Sequence, residues 1–245
     1  MRDRIPAAAL TIFIVLLLAW LYTRSAALSA IVRGGDGPPT VVMLHGYGSR
    51  AEDWLQFEGK WQLPVETRRV YHQAPWRGFG SHRGWWWLHL EGYIRDGQMA
   101  DLSKASPGGI KVASKLVRDL LANERSPMIL GGFSQGAMTS AEIAFQTDQD
   151  LSGLILLSGA TVNEESWADH FAGRRHLPIF IAHGRQDSTL SFASMERFQA
   201  RLKAFGMDVT WYPFDGGHGI PDEVVRATSL FVTRIVGLQS RAGRG

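Results

Sequence analysis

MILGGFSQGAMTSAEIAFQ, residues 128–146, is the stretch on which the fold turns. It opens with a short apolar run, passes through the pentapeptide Gly132-Phe133-Ser134-Gln135-Gly136, and ends in a helix-forming segment. A G-x-S-x-G pattern alone is weak, because a glycine-rich turn with a serine helix cap would read the same way. Set between a strand and a helix it means more. A sharp strand-to-helix turn holds the serine in a strained conformation with its hydroxyl exposed. The flanking glycines are needed there because a Cβ would collide with the neighbouring strand or helix. Ser134 is therefore the candidate nucleophile.

Outward from this turn the same alternation continues. Short apolar runs at Val41–Leu44, Val70–Gln73, Leu154–Ser158, Ile179–His183 and Val209–Phe214 are bounded by Gly, Pro or polar residues, as buried parallel strands are. Between them, Ile110, Ala113, Leu116, Val117, Leu120 and Leu121 recur at helical spacing, as do Phe192, Met195, Phe198, Leu202 and Phe205. A further helix is expected over residues 222–238. Strands alternating with helices predict an α/β domain over residues 40–240, with a mostly parallel central sheet covered by helices on both faces. The stretch from Trp54 to Tyr93 fits least well. It carries Pro64, Pro75, Gly78, Gly80 and Gly84, and reads as long loops around one strand.

A hydroxyl is a poor nucleophile near neutral pH, so Ser134 needs a base and the base an orienting acid. In α/β-hydrolase sheets these follow in the order Ser, Asp or Glu, His, each on a loop after a strand. Asp187 follows one expected strand within His183-Gly184-Arg185-Gln186-Asp187, and His218 follows another within Asp215-Gly216-Gly217-His218-Gly219. Asp187 could equally cap the next helix, a role open to Ser188 or Ser191. His183 and His45 are rival bases, with His183 read as packing behind the Asp187 turn. Oxyanion donors are expected at the backbone N–H of Gln135, directly after the nucleophile, and of Tyr47, in the loop Leu44-His45-Gly46-Tyr47-Gly48. Gly46-x-Gly48-x-x-Ala51 also matches a dinucleotide fingerprint. That reading wants an acid about 20 residues on, where the chain has Tyr71, His72 and Gln73.

Composition narrows the classes further. The 245 residues are 45% hydrophobic and 20% charged, ordinary for a globular chain. The net charge is +3, and residues 1–27 account for most of it through Arg2, Arg4 and Arg24 against Asp3. No basic stripe remains, so nucleic acid is not an expected partner. The absence of cysteine removes disulfides, thiolate nucleophiles and Cys-ligated metals. No H-E-x-x-H is present and His82 and His89 are seven apart, so no metal site is expected. The start MRDR precedes an apolar run from Ala7 to Tyr22 broken only by Thr11. It reads as an N-terminal hydrophobic helix, a signal peptide or signal anchor over residues 1–30, followed by a Gly- and Pro-rich linker or opening hairpin over 31–39. The expected location is the cell membrane, with the catalytic domain on its outer side, or secretion if the segment is cleaved.

LHGYGS, GGFSQGA, HGRQD and GGHGI, in that order, resemble the phospholipase/carboxylesterase family, which includes acyl-protein thioesterases. The resemblance runs from about Thr40 to the C-terminus. It implies an α/β-hydrolase fold and hydrolysis of carboxylic esters, lysophospholipids or thioesters without metal or organic cofactor. It also implies Ser134, Asp187 and His218 as triad, with Tyr47 and Gln135 as oxyanion donors. The chain departs from the pattern at Ser49, where the family usually has an acid. It departs again at Trp85-Trp86-Trp87, and in its N-terminal apolar segment, since familiar members are soluble intracellular enzymes. Trp85, Trp86 and Trp87 are expected either as substrate contacts or as core. The expected partner is a small-molecule or lipid-like ester, with the membrane engaged through the N-terminus. A different class stays open, a membrane-tethered, non-catalytic binding protein that keeps the fold.

Overall fold

The structure is a computed structural model that describes residues 29–77, 83–86, 94–95, 98–99 and 101–242. Among these, one sheet contains seven strands: β1 Ala30–Gly34, β2 Gly37–Leu44, β3 Thr67–His72, β4 Met128–Phe133, β5 Gly153–Leu157, β6 Ile179–Gly184 and β7 Val209–Phe214. Their order across the sheet is β1-β3-β2-β4-β5-β6-β7. β1 pairs antiparallel with β3, and every other pairing is parallel. Among the described residues five α-helices accompany it: α1 Gly108–Leu121, α2 Gln135–Gln146, α3 Glu164–Ala168, α4 Phe192–Ala204 and α5 Asp222–Ala242.

The two-residue period of each strand divides the core into layers. Val42, Leu44, Leu130, Leu154 and Ile181 point to one face, where Ile110 and Val117 of α1, Phe145 of α2 and Phe198 of α4 cover them. Val41, Met43, Ile129, Ile155 and Phe180 point to the other, against Val224, Val232 and Ile235 of α5 and Trp54 and Phe57 of a 3-10 helix over Ala51–Phe57. Both faces are thus sealed, which is why these strands read as continuous apolar runs. This is the α/β-hydrolase fold.

Residues 31–39, expected as a linker or opening hairpin, instead hold β1 and the start of β2. β1 is a sheet edge, with Val32 exposed and Ala30 to Gly34 registered on His72 to Arg68. One-sided edge burial leaves no apolar run to read, and its partner lies far along the chain. Where described, the irregular stretch from Trp54 to Tyr93 holds the end of the 3-10 helix, β3 and a two-residue ladder joining Trp76–Arg77 to Arg83–Gly84. The expected N-terminal hydrophobic helix, His82, His89 and Trp87 lie outside the described residues.

Candidate active site

Ser134 sits between β4 and α2 with φ 55° and ψ −118°, in the left-handed half of backbone space that side chains rarely adopt. The glycines around it are forced. A Cβ on Gly132 would lie 2.4 Å from the Gly136 carbonyl carbon, and one on Gly136 would lie 2.1 Å from the Leu44 oxygen. Helix, strand and turn meet backbone to backbone, and the meeting pushes the Ser134 hydroxyl outward.

The parallel register brings the C-terminal ends of β4, β6 and β7 to one edge of the sheet. There the loop after β6 carries Asp187 and the loop after β7 carries His218. These loops are stitched together by Arg185 N–H donating to Phe214 O and Gln186 N–H donating to Gly216 O, both at 2.9 Å. Gly184 lets them close, since a Cβ there would meet Gly217 O at 2.3 Å. Across this edge His218 Nε2 lies 3.0 Å from Ser134 Oγ, and His218 Nδ1 lies 2.8 Å from Asp187 Oδ2. The Phe133 ring packs on the His218 ring with centroids 4.8 Å apart. Asp187 Oδ1 accepts from the N–H groups of Thr189 and Leu190 at 2.8 and 2.9 Å. Burial alone would raise its carboxyl. Hydrogen bonds from His183, His218 and the Leu190 N–H outweigh that and hold it well below the usual carboxylate range. The helix-capping role falls to Ser191, whose Oγ accepts from Ser194 N–H at 3.3 Å.

Gln135 is the first residue of α2, and the first backbone bond of that helix runs from Met138 N–H to Ser134 O at 3.1 Å. Its own N–H therefore has no partner within the helix and projects from the positive end of the helix dipole. The loop carrying Tyr47 abuts the nucleophile, since a Cβ on Gly46 would lie 3.3 Å from Ser134 Cβ. The Gly46 carbonyl belongs to the same peptide unit as the Tyr47 N–H. It is held twice, by His45 Nδ1–H at 2.8 Å and by Ser49 N–H at 3.2 Å. His45 Nε2 accepts from Ala74 N–H at 3.1 Å, so its proton is on Nδ1. Burial lowers the pKa of His45 to about 4 and keeps it neutral. His45 thus braces the oxyanion loop, with both ring nitrogens engaged by Gly46 O and Ala74 N–H.

Some supporting contacts are marked by no sequence motif. The Gln135 side chain accepts from Trp85 N–H and donates to Trp86 O, each at 2.8 Å, while the Trp85 indole donates to His45 O at 2.8 Å. Ser158, at φ 44°, donates its hydroxyl to Gly219 O at 3.2 Å and so holds the residue after His218. Trp85 and Trp86 are 0% and 1% exposed. Of the two roles expected of them this burial fits the core, and their indole N–H groups are spent on His45 and Thr139.

Comparison with known proteins gives one consistent picture. The sequence pattern of the family described as Phospholipase/Carboxylesterase matches residues 28–236. Acyl-protein thioesterase 1 of Gibberella zeae is 24% identical over 204 residues, covering 76% of this chain and 86% of that protein. Lysophospholipase-like protein 1 of Mus musculus is 28% identical over 125 residues, 46% of this chain and 49% of that one. The crystal structure of Zea mays acyl-protein thioesterase 2 superposes with a TM-score of 0.70 at 24% identity, covering 84% of this chain and 98% of that chain.

These findings correct the location expected from the N-terminus. The family match begins at residue 28, after the apolar run, so the run is no part of what the chain shares with the family, whose members among its relatives are named acyl-protein thioesterases. Among the described residues no helix is long and apolar enough to cross a membrane. Placement of the domain outside a membrane, and engagement of that membrane through the N-terminus, have no support.

Proposed function

The chain belongs to the phospholipase/carboxylesterase family of carboxylic ester hydrolases, and from that premise we propose that it cleaves esters or acyl thioesters with Ser134 as nucleophile, His218 as base and acid, and Asp187 as orienting acid. Ser134 Oγ attacks the acyl carbon while its proton passes to His218 Nε2. Asp187 holds the resulting imidazolium through Nδ1–H. The oxyanion forms against the backbone N–H groups of Tyr47 and Gln135, where each donor contributes roughly 3 kcal/mol to the transition state. His218 then hands its proton to the departing oxygen or sulfur, leaving an acyl-serine. Water repeats the sequence on the acyl-enzyme, releases the acid and restores Ser134. No step takes a cofactor.

The observation that carries this reading is the unbroken row from Ser134 Oγ through His218 to Asp187. Relatives named as thioesterase and lysophospholipase-like protein support small-molecule or lipid-like acyl substrates. The test is fluorophosphonate labelling together with a screen of p-nitrophenyl esters, acyl thioesters and lysophospholipids. Ser134→Ala is expected to abolish the label and to lower hydrolysis by at least about a thousandfold. Rapid labelling that survives Ser134→Ala, or no label on folded protein, would overturn the assignment.

A further inference from the structure

Beside the row of Ser134, His218 and Asp187 lies a cleft of about 320 Å³. His218, Ile220 and Phe133, the residue before Ser134, line it together with Asp53, Trp54 and Phe57 of the 3-10 helix. The position of this cleft has a chemical meaning that rests on the reading above. His218 Nε2 delivers the proton that releases the alcohol or thiol, so the departing atom must lie within hydrogen-bond reach of that nitrogen. A cavity walled by His218 and the residues that follow it is where the remainder of the leaving group extends. Trp54, Phe57, Phe133 and Ile220 give it apolar surface, and its volume far exceeds what a methyl or ethyl alcohol fills.

One charged side chain among the described residues lines the cleft, Asp53, while Glu52 and Arg83, of opposite sign, act on His45 from outside the lining. Among the described residues that line the cleft, Asp53 is the only carboxylate, and no Lys or Arg joins it. His45, the other titratable residue there besides His218, is buried and neutral. Asp53 is held in place by its Oδ2, which accepts the Arg50 N–H at 3.0 Å, and the Arg50 side chain is not part of the lining. A fixed negative charge beside an apolar surface favours a cationic ligand and repels an anionic one.

We propose that this cleft receives the leaving group and that Asp53 selects leaving groups with a cationic or uncharged end over anionic ones. Three butyrate esters test it: the choline ester, its uncharged isostere 3,3-dimethylbutyl butyrate, and 3-sulfopropyl butyrate. For the unaltered enzyme, kcat/KM should fall in that order by about two- to fivefold per step, the scale of a solvent-exposed charge pair. The spread should shrink in high salt. Asp53→Asn keeps an oxygen for the Arg50 N–H and should bring the three values together, while fluorophosphonate labelling of the variant reports that its site is assembled. Equal rates for the three esters with the unaltered enzyme, or a spread unmoved by Asp53→Asn, would overturn the selection while leaving the hydrolase reading intact. Failure to cleave any ester, with no label at Ser134, would overturn both.

Discussion

His183 Nε2 stands 3.1 Å from Asp187 Oδ2, the same oxygen that His218 Nδ1 reaches at 2.8 Å. It also lies 3.1 Å from the Leu190 carbonyl oxygen. Both neighbours are acceptors, so Nε2 must carry the proton and donate to them. Asp187 is therefore shared between two imidazoles, one fully buried and one facing Ser134.

Sharing has a consequence for the orienting acid. Against burial, the His183 N–H is the foremost of the hydrogen bonds that hold the Asp187 carboxyl below the usual carboxylate range. His183→Phe, which retains a buried ring, leaves Asp187 Oδ2 with one donor fewer and should lower kcat/KM by about tenfold, since a hydrogen bond to a charged group contributes about 1.5–3 kcal/mol. His183→Gln can present an N–H near the same place and should restore the rate. An unchanged kcat/KM in His183→Phe, or a loss that His183→Gln does not restore, would reduce His183 to packing.

The conformation of Ser134 sets activity against stability. Holding a non-glycine residue at φ 55° costs about 1–3 kcal/mol. Ser134→Gly removes the nucleophile and relieves that strain, at the expense of about 0.5–1 kcal/mol of added freedom in the unfolded chain. The inactive variant should be the more stable by about 1 kcal/mol, raising Tm by about 2–4 °C for a domain of this size. Thermal unfolding of the two proteins side by side measures it. An unchanged or lower Tm would mean that the turn is relaxed around serine.

What could be read from the chain follows from how locally each feature is encoded. β4 and α2 were legible because the apolar run, the glycines and the helix all lie within residues 128–146. The position of Asp187 was legible because it follows β6, a fully buried strand that leaves a continuous apolar run. That of His218 was legible too: it follows β7, the other edge strand and only partly buried, where Val209, Trp211, Tyr212 and Phe214 still mark a run of strand-forming residues. β1 was not, because an edge strand with an exposed Val32 has no such run. The braces were not legible either. His45 on Gly46 O, Gln135 between Trp85 and Trp86, and Ser158 on Gly219 O depend on where a side-chain atom ends up in space, and no residue spacing encodes that. The tryptophan run could have been pocket or core on composition alone, and burial decides it for Trp85 and Trp86.

Acid should weaken the fold in two separate windows. In the unfolded chain His45 takes a proton near pH 6.5, whereas in the fold, where burial dominates, it does so only near about 4. The unfolded state therefore binds more protons between these values, and stability falls as pH drops through them. His45 alone accounts for up to about 3 kcal/mol. His72, also lowered to about 4 by burial and then by Arg68, acts in the same window with the same sign. Asp187, held below the ordinary carboxylate range, keeps its contribution until the pH falls below about 4 and loses it only beyond that. Urea unfolding at several pH values from about 7 to 4 should show the first loss. His45→Gln should flatten the slope by about one proton's worth, roughly 1.4 kcal/mol per pH unit. An identical slope in the variant would show that His45 is already charged in the fold.

Gln135 joins the nucleophile turn to the tryptophan segment through atoms that have no substitute. Its Oε1 accepts the Trp85 N–H and its Nε2 donates to the Trp86 carbonyl, both within a fully buried site. The space is closed by Gly84, where a Cβ would meet the Tyr47 ring at 2.8 Å and Gln135 Oε1 at 3.2 Å. Gln135→Ala leaves a buried N–H and a buried C=O unpaired, each costing about 1–3 kcal/mol. Gln135→Glu keeps an acceptor for the Trp85 N–H but sets a second oxygen against the Trp86 carbonyl, so it should rescue stability only in part. The Trp85 indole also holds His45 O, and His45 holds the Gly46 peptide that presents the Tyr47 N–H. Loosening the Gln135 end should therefore reach the oxyanion loop. The expected result for Gln135→Ala is a fall in kcat with little change in KM, because the affected donor binds the transition state more strongly than the substrate. A stability loss with kcat intact would show that the tryptophan segment supports the core without steering the loop.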